Sequence, residues 1–156
     1  ATAEEYNAVK SSLSSENIVS DPNSPNVIYM WKVIQDNEQN NAMVYYSEAS
    51  TIYMNIDSDG MFDDLYKLVT IDLSELDYSA IKEFDSMFSY CYSLVTIYVS
   101  NEWQFEFESY EALFMFNYSS SIVGGAGTTF DSNYVHGEYA HIDGGPSNPG
   151  YFTLKQ

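Results

Sequence analysis

The pair Met61-Phe62 returns as Met87-Phe88 and again as Met115-Phe116, at offsets of 26 and 28 residues. Leu68-Val69 returns at the same two offsets as Leu94-Val95 and Ile122-Val123, and Ile71 and Leu73 return as Ile97 and Val99. Anchors that move together define copies of one module. A module this short cannot bury its own apolar face, so its copies must share a core.

A period near 26 residues falls in the leucine-rich-repeat range of about 20–29 residues. Within each copy, Leu68, Ile71 and Leu73 alternate with Thr70 and Asp72, the pattern of a strand with one apolar face. Leu94, Ile97 and Val99 alternate in the same way with Thr96 and Tyr98. Ile81, Phe84 and Phe88 fall at helical spacing and predict a short helix over 79–88, capped by Asp77 or Ser79. The expected fold is an α/β repeat: a short leucine-rich-repeat-like solenoid with parallel strands and short helices.

The copies end at Gly124-Gly125-Ala126-Gly127. Beyond lie the turn signals Gly144-Gly145-Pro146 and Asn148-Pro149-Gly150, then Tyr151 to Leu154 as a closing strand. Ahead of the copies, 27–33 and 42–46 are β-rich and separated by a polar stretch, which predicts a hairpin, and 51–55 adds a strand. The organisation expected is therefore a lead-in at 1–26, loosely ordered over its Ser/Asn/Pro-rich part, and a β-rich N-terminal cap at 27–60. The repeat solenoid follows at 61–123 and a Gly/Pro-rich C-terminal cap at 124–156.

With 23 acidic against 5 basic residues the net charge is −18, the wrong sign for phosphate backbones and for anionic membrane surfaces. No apolar run approaches the roughly 18–20 residues that span a bilayer. Cys91 is the lone cysteine, which excludes an intrachain disulfide and a zinc ribbon. An acidic chain with 15 Tyr and one Cys suits an exported protein. No basic-then-apolar leader is visible at Ala1 to Lys10, as expected of a mature fragment or excised domain.

The segments MFDDLYKLVTIDLSELDYS and MFSYCYSLVTIYVS resemble the repeats of BspA-like leucine-rich-repeat bacterial surface proteins, with Cys91 at a repeat-cysteine position. The tail GGAGTTFDSNYVHGEYAHIDGGPSNPGYFT resembles the segment that closes such arrays, and IYMWKVIQDNEQNNAMVYYSEASTIYMN the segment that precedes them. The resemblance spans about residues 27–153. It implies an extracellular location on a bacterial cell surface and a role in adhesion to a host or neighbouring cell. It carries no catalytic residues.

The offsets make Asp64, Tyr90 and Tyr118 equivalent, and likewise Tyr66, Tyr92 and Ser120; Tyr98 matches Asp72 on the open strand face. Stacked copies would set these groups in rows, and tyrosine rings suit recognition because they bury area at low entropic cost. The expected function is non-enzymatic contact with a protein or glycan of a host or neighbouring cell through Tyr66, Tyr90, Tyr92, Tyr98 and Tyr118, by a monomer without cofactor, nucleic acid or membrane insertion. The alternatives are a structural spacer within a larger surface protein, or a glycan-active enzyme.

Other constellations favour structural roles. Asn55-x-Asp57-x-Asp59-Gly60 opens like an EF-hand loop but has Tyr66 where a bidentate Glu belongs, so it reads as an acidic turn, with weak calcium binding near Asp57 and Asp59 left open. His136 and His141, beside Glu138 and Asp143, lack one-face helical spacing for a transition metal. Glu102, Glu106 and Glu108 alternate with Trp103, Phe105 and Phe107, which fits a half-buried strand better than a sugar platform with paired carboxylates. Cys91 is expected in the repeat core.

Overall fold

The computed structural model describes all residues except 21–22, 37–39, 106 and 108–111. The chain divides into two compact units, 1–52 and 53–156.

In the first unit, a capping box starts helix α1 (Ala3–Val9). Thr2 Oγ1 accepts from the Glu5 amide at 3.2 Å, and Glu5 Oε2 accepts from the Thr2 amide at 2.7 Å. Strands β1 (Ile28–Asp36) and β2 (Asn40–Ser47) form the antiparallel hairpin read from the sequence, with Trp31 opposite Val44 and Tyr29 opposite Tyr46. Tyr6 of α1 is buried, stacked on Tyr46 at 4.4 Å and tilted against Tyr29 and Trp31. The Ser/Asn-rich stretch after α1 forms 3-10 turns at Lys10–Ser12 and Ser15–Asn17, the latter tied to β1 by Asn17 Nδ2 donating to the Met30 carbonyl.

Among its described residues the second unit holds five short strands: β3 (Ile52–Tyr53, which begins on the last residue of the first unit), β4 (Thr70–Asp72), β5 (Leu76–Asp77), β6 (Thr96–Val99) and β7 (Phe152–Leu154). Strand β3 pairs with β5. Strands β4, β6 and β7 form a parallel sheet with Ile71, Ile97 and Phe152 in one row. The predicted alternation is seen on β6, where Ile97 and Val99 are buried and Thr96 and Tyr98 half-buried; on β4 Thr70 is exposed but Ile71 and Asp72 are both half-buried, with Leu73 buried just beyond.

The leucine-rich-repeat-like solenoid does not form. The chain is a small α/β arrangement of few short strands in small sheets, and α1, its one α-helix among the described residues, lies outside the repeated segment. Two findings overturn the expectation. The third copy supplies no strand to the sheet, because glycines follow Ile122-Val123, and the tail strand β7 takes the position beside β6. The helix expected over 79–88 is a run of turns. Ser86 sits at φ 57° and Tyr90 at φ 54°, in the left-handed region, which a right-handed helix cannot pass through. Asp77 Oδ1 caps a turn at Ser79 instead of a helix.

The copies nevertheless pack through their turns. The amides of Gly60, Phe62 and Asp64 donate to the carbonyls of Asp85, Met87 and Ser89, and those of Ser86, Phe88 and Tyr90 donate to Leu113, Met115 and Asn117. The carboxylates of Asp59 and Asp85 extend the pattern, accepting from the amides of Asp85 and Leu113. Inside these turns Phe62, Phe88 and Phe116 stack in a column, at 5.5 Å and 5.9 Å with nearly parallel rings. Met87, Cys91, Leu94, Ile97, Met115, Ile122 and Phe152 join the same buried cluster.

Phe88 stands in mid-column and is fully buried. Phe88→Ala is expected to lower the unfolding free energy by about 3–5 kcal/mol, read by urea denaturation. Leu65→Ala, at an exposed position, is expected to stay within about 0.5 kcal/mol of the parent.

Candidate binding surface

Two positions in each turn take left-handed backbone. Gly60, Ser86 and Phe114 form one set and Asp64, Tyr90 and Tyr118 the other, all at φ between 50° and 61°. Glycine, Asn and Asp suit such positions; a bulky residue there costs about 1–2 kcal/mol. At this cost Tyr90, Tyr118 and Phe114 project outward, with 39%, 54% and 51% of their surface exposed.

Tyr90 and Tyr118 stack on each other, ring centres 4.9 Å apart, and Tyr92 meets Tyr90 edge-on at 6.1 Å. Contacts beneath the rings fix this spacing. The Tyr90 amide donates to the Asn117 carbonyl, Ser119 Oγ donates to the Phe88 carbonyl and accepts from the Cys91 amide, and Ser121 Oγ donates to the Tyr92 carbonyl. The three tyrosines thus form a clamped, exposed ledge.

The other two tyrosines expected to belong with them meet lysines. Tyr66 is exposed, with the Lys67 ammonium 5.6 Å from its ring centre. Tyr98 is half-buried on β6 beneath Lys155 Nζ, 4.5 Å from its ring, and the same ammonium pairs with Asp72 at 2.9 Å. Burial raises the Asp72 pKa, but the Ser74 hydrogen bonds and Lys155 bring it below the ordinary value. Phe114 was missed in the sequence. Its amide donates to His136 Nδ1 at 2.8 Å, and its ring meets the imidazole edge-on. The offsets alone would have placed it at the position of Gly60.

Cys91, beneath the ledge, is fully buried, with Sγ donating to the Phe62 carbonyl; burial pushes its thiol up to about 11, so it is a poor nucleophile. Trp103 is buried and donates from Nε1 to the Ala140 carbonyl, while Phe105 and Phe107 pack edge-on against Phe84. These aromatic rings belong to the core, the described residues of the stretch form no strand, and Glu106 and Glu108 lie outside the described residues. Asp57 and Asp59 serve turns: Asp57 Oδ1 accepts from the Asp59 amide, and Asp59 Oδ1 from the Asp85 amide. His141 Nδ1 lies 3.0 Å from the Ile142 carbonyl, away from the bond that His136 makes. Among the described residues no group of three or more His, Cys, Asp or Glu is placed to hold a metal.

Asp143 has a role that its neighbourhood in sequence did not disclose. The amides of Ala126, Thr128, Gly145 and Gly150 and the hydroxyl of Thr128 all donate to its carboxylate. Burial works to raise its pKa, and these donors, Thr128 foremost, outweigh it and hold the group at about 2.

Against family models, curated proteins and solved structures, the chain matches none. Among the described residues no helix is long and apolar enough to cross a membrane.

Because the folded pKa of Asp143 lies below the unfolded one, its stabilisation is complete above about pH 4 and is lost as pH falls toward 2. Asp143→Asn is expected to lower stability at pH 7 by about 2 kcal/mol. The difference from the parent should shrink between about pH 4 and 2 in urea titrations at each pH.

Proposed function

We propose that this protein is a non-enzymatic binding module of a bacterial cell surface, of the BspA-like kind, and that the Tyr90–Tyr92–Tyr118 ledge contacts a basic protein of a host or neighbouring cell. The observation that carries this reading is the exposed Tyr90–Tyr118 stack built on left-handed backbone. Strain kept at an outward position that the interior does not use is the mark of a functional surface.

The partner's charge follows from the chain's own. At −18 the protein attracts cations over a Debye length. Three of its five basic side chains, Lys10, Lys67 and Lys155, already lie over tyrosine faces. Lys or Arg of a partner can use the ledge in the same way, each contact contributing about 0.5–2 kcal/mol.

The test compares the parent with Tyr90→Gly/Tyr118→Gly. Glycine relieves the backbone strain, so the double variant should melt close to the parent. Binding to Lys/Arg-rich peptides and to intact host cells should fall at least about tenfold, and parent binding should weaken with salt. Unchanged binding in the double variant would remove the ledge from the mechanism. If the parent binds neither probe, the spacer reading takes its place.

A further inference from the structure

The C-terminal segment lines an open, shallow cleft of about 630 Å³, a volume within the range of small-molecule sites. Its lining includes Gly127, Thr129, Phe130, Asp131, Ser132 and Tyr139. We infer that this cleft binds one neutral pyranose unit of a glycan, at a site separate from the tyrosine ledge and independent of it.

The first argument is that the cleft is built in advance. Asp143 ties Ala126, Thr128 and Gly145, all of which line the cleft, to one buried carboxylate. The buried Tyr151 hydroxyl accepts from the Asp131 amide at 2.9 Å and donates to the Asp131 carbonyl at 3.3 Å, setting the opposite run of backbone. Tyr139 is wedged between Tyr134, stacked at 4.4 Å, and Tyr151, edge-on at 5.0 Å. Gly127 adopts φ +96°, and a Cβ added there would meet nothing within 4 Å, so the space beside it is open. A ligand entering such a site spends little free energy on ordering the protein.

The second argument is chemical. A pyranose presents an apolar C–H face and a girdle of hydroxyls. Phe130, half-buried in the lining, offers ring surface to the first. Thr129 and Ser132 bring hydroxyls to the second. The Asp131 carboxylate can accept from more than one sugar hydroxyl, since the Asn133 turn engages its Oδ1 and a carboxylate has about four acceptor sites. The residues lining the cleft include no Lys, Arg or His, and the chain carries −18, so an anionic sugar would meet repulsion without compensation. A neutral sugar is the ligand class that fits all of these groups.

Saturation-transfer NMR on the full chain tests this with the methyl glycosides of glucose, galactose, mannose and N-acetylglucosamine. N-acetylneuraminic acid and lysine serve as charged controls. At least one neutral glycoside is expected to bind in the millimolar range or tighter. Thr129→Trp, a substitution at an exposed position that fills the cleft, should weaken that binding at least about tenfold. Asp131→Asn, which retains an acceptor for the Asn133 turn, should do the same with the cleft open. Tyr90→Gly/Tyr118→Gly should leave it unchanged. The inference is overturned if no neutral glycoside binds at about 10 mM, if both cleft variants bind like the parent, or if the charged controls bind equally well.

Discussion

The column formed by Phe62, Phe88 and Phe116 sets the separation of the three turns around it. Rings stacked at this distance hold neighbouring turns close enough for amide-to-carbonyl bonds, and those bonds in turn hold the rings parallel. The consequences reach the surface. Tyr90 and Tyr118 belong to the same turns that carry Phe88 and Phe116 inside, so an outer stack at 4.9 Å accompanies the inner one at 5.9 Å. The exposed tyrosine ledge thus rests on turns that the core holds together.

The second unit combines two kinds of order. The repeated turns are held mainly by backbone bonds and apolar packing, with little charge involved. The tail is organised by polar groups taken out of water, the Asp143 carboxylate and the Tyr151 hydroxyl. Burial pushes the Tyr151 hydroxyl up to about 12, so it remains protonated and can both donate and accept across the neutral range. Glycines allow the approach: a Cβ at Gly124 would fall 2.1 Å from the Gly150 carbonyl oxygen and 2.6 Å from Asp143 Oδ2.

Much of this architecture was legible in the sequence, and the failures have physical causes. The hairpin β1–β2, the closing strand β7 and the inward set Leu94, Ile97 and Val99 followed from periodicity. The same reasoning misjudged 79–88. Ile81, Phe84 and Phe88 are buried at helical spacing, but consecutive turns place every third or fourth residue inward as a helix does; the left-handed φ of Ser86 and amides that bond the neighbouring copies distinguish the two. The repeat period showed which residues would meet across copies; it did not show which secondary structure would carry them, nor that β7 would take the third copy's place in the sheet. Helix α1 carries its own start signal in Thr2 and Glu5, a capping box that hydrophobic periodicity does not reveal. The cover over Tyr98 comes from Lys155, and the donors to Asp143 come from glycine-rich loops, pairings too distant in sequence for spacing to show.

The left-handed sockets also bear on how the outer face of these turns can vary. At 60, 64, 86 and 90 the backbone amide donates to a carbonyl of the next copy, at 114 it donates to His136 Nδ1, and the side chains across the two sets range from none at Gly60 to Phe at 114 and Tyr at 118. The scaffold has already accepted Gly, Ser, Phe, Asp and Tyr there. Sequence can therefore vary at these sites within a cost of about 1–2 kcal/mol for each bulky residue on left-handed backbone, and the exposed ones, Asp64, Tyr90, Phe114 and Tyr118, make this face a natural template for diversification by library display in the laboratory.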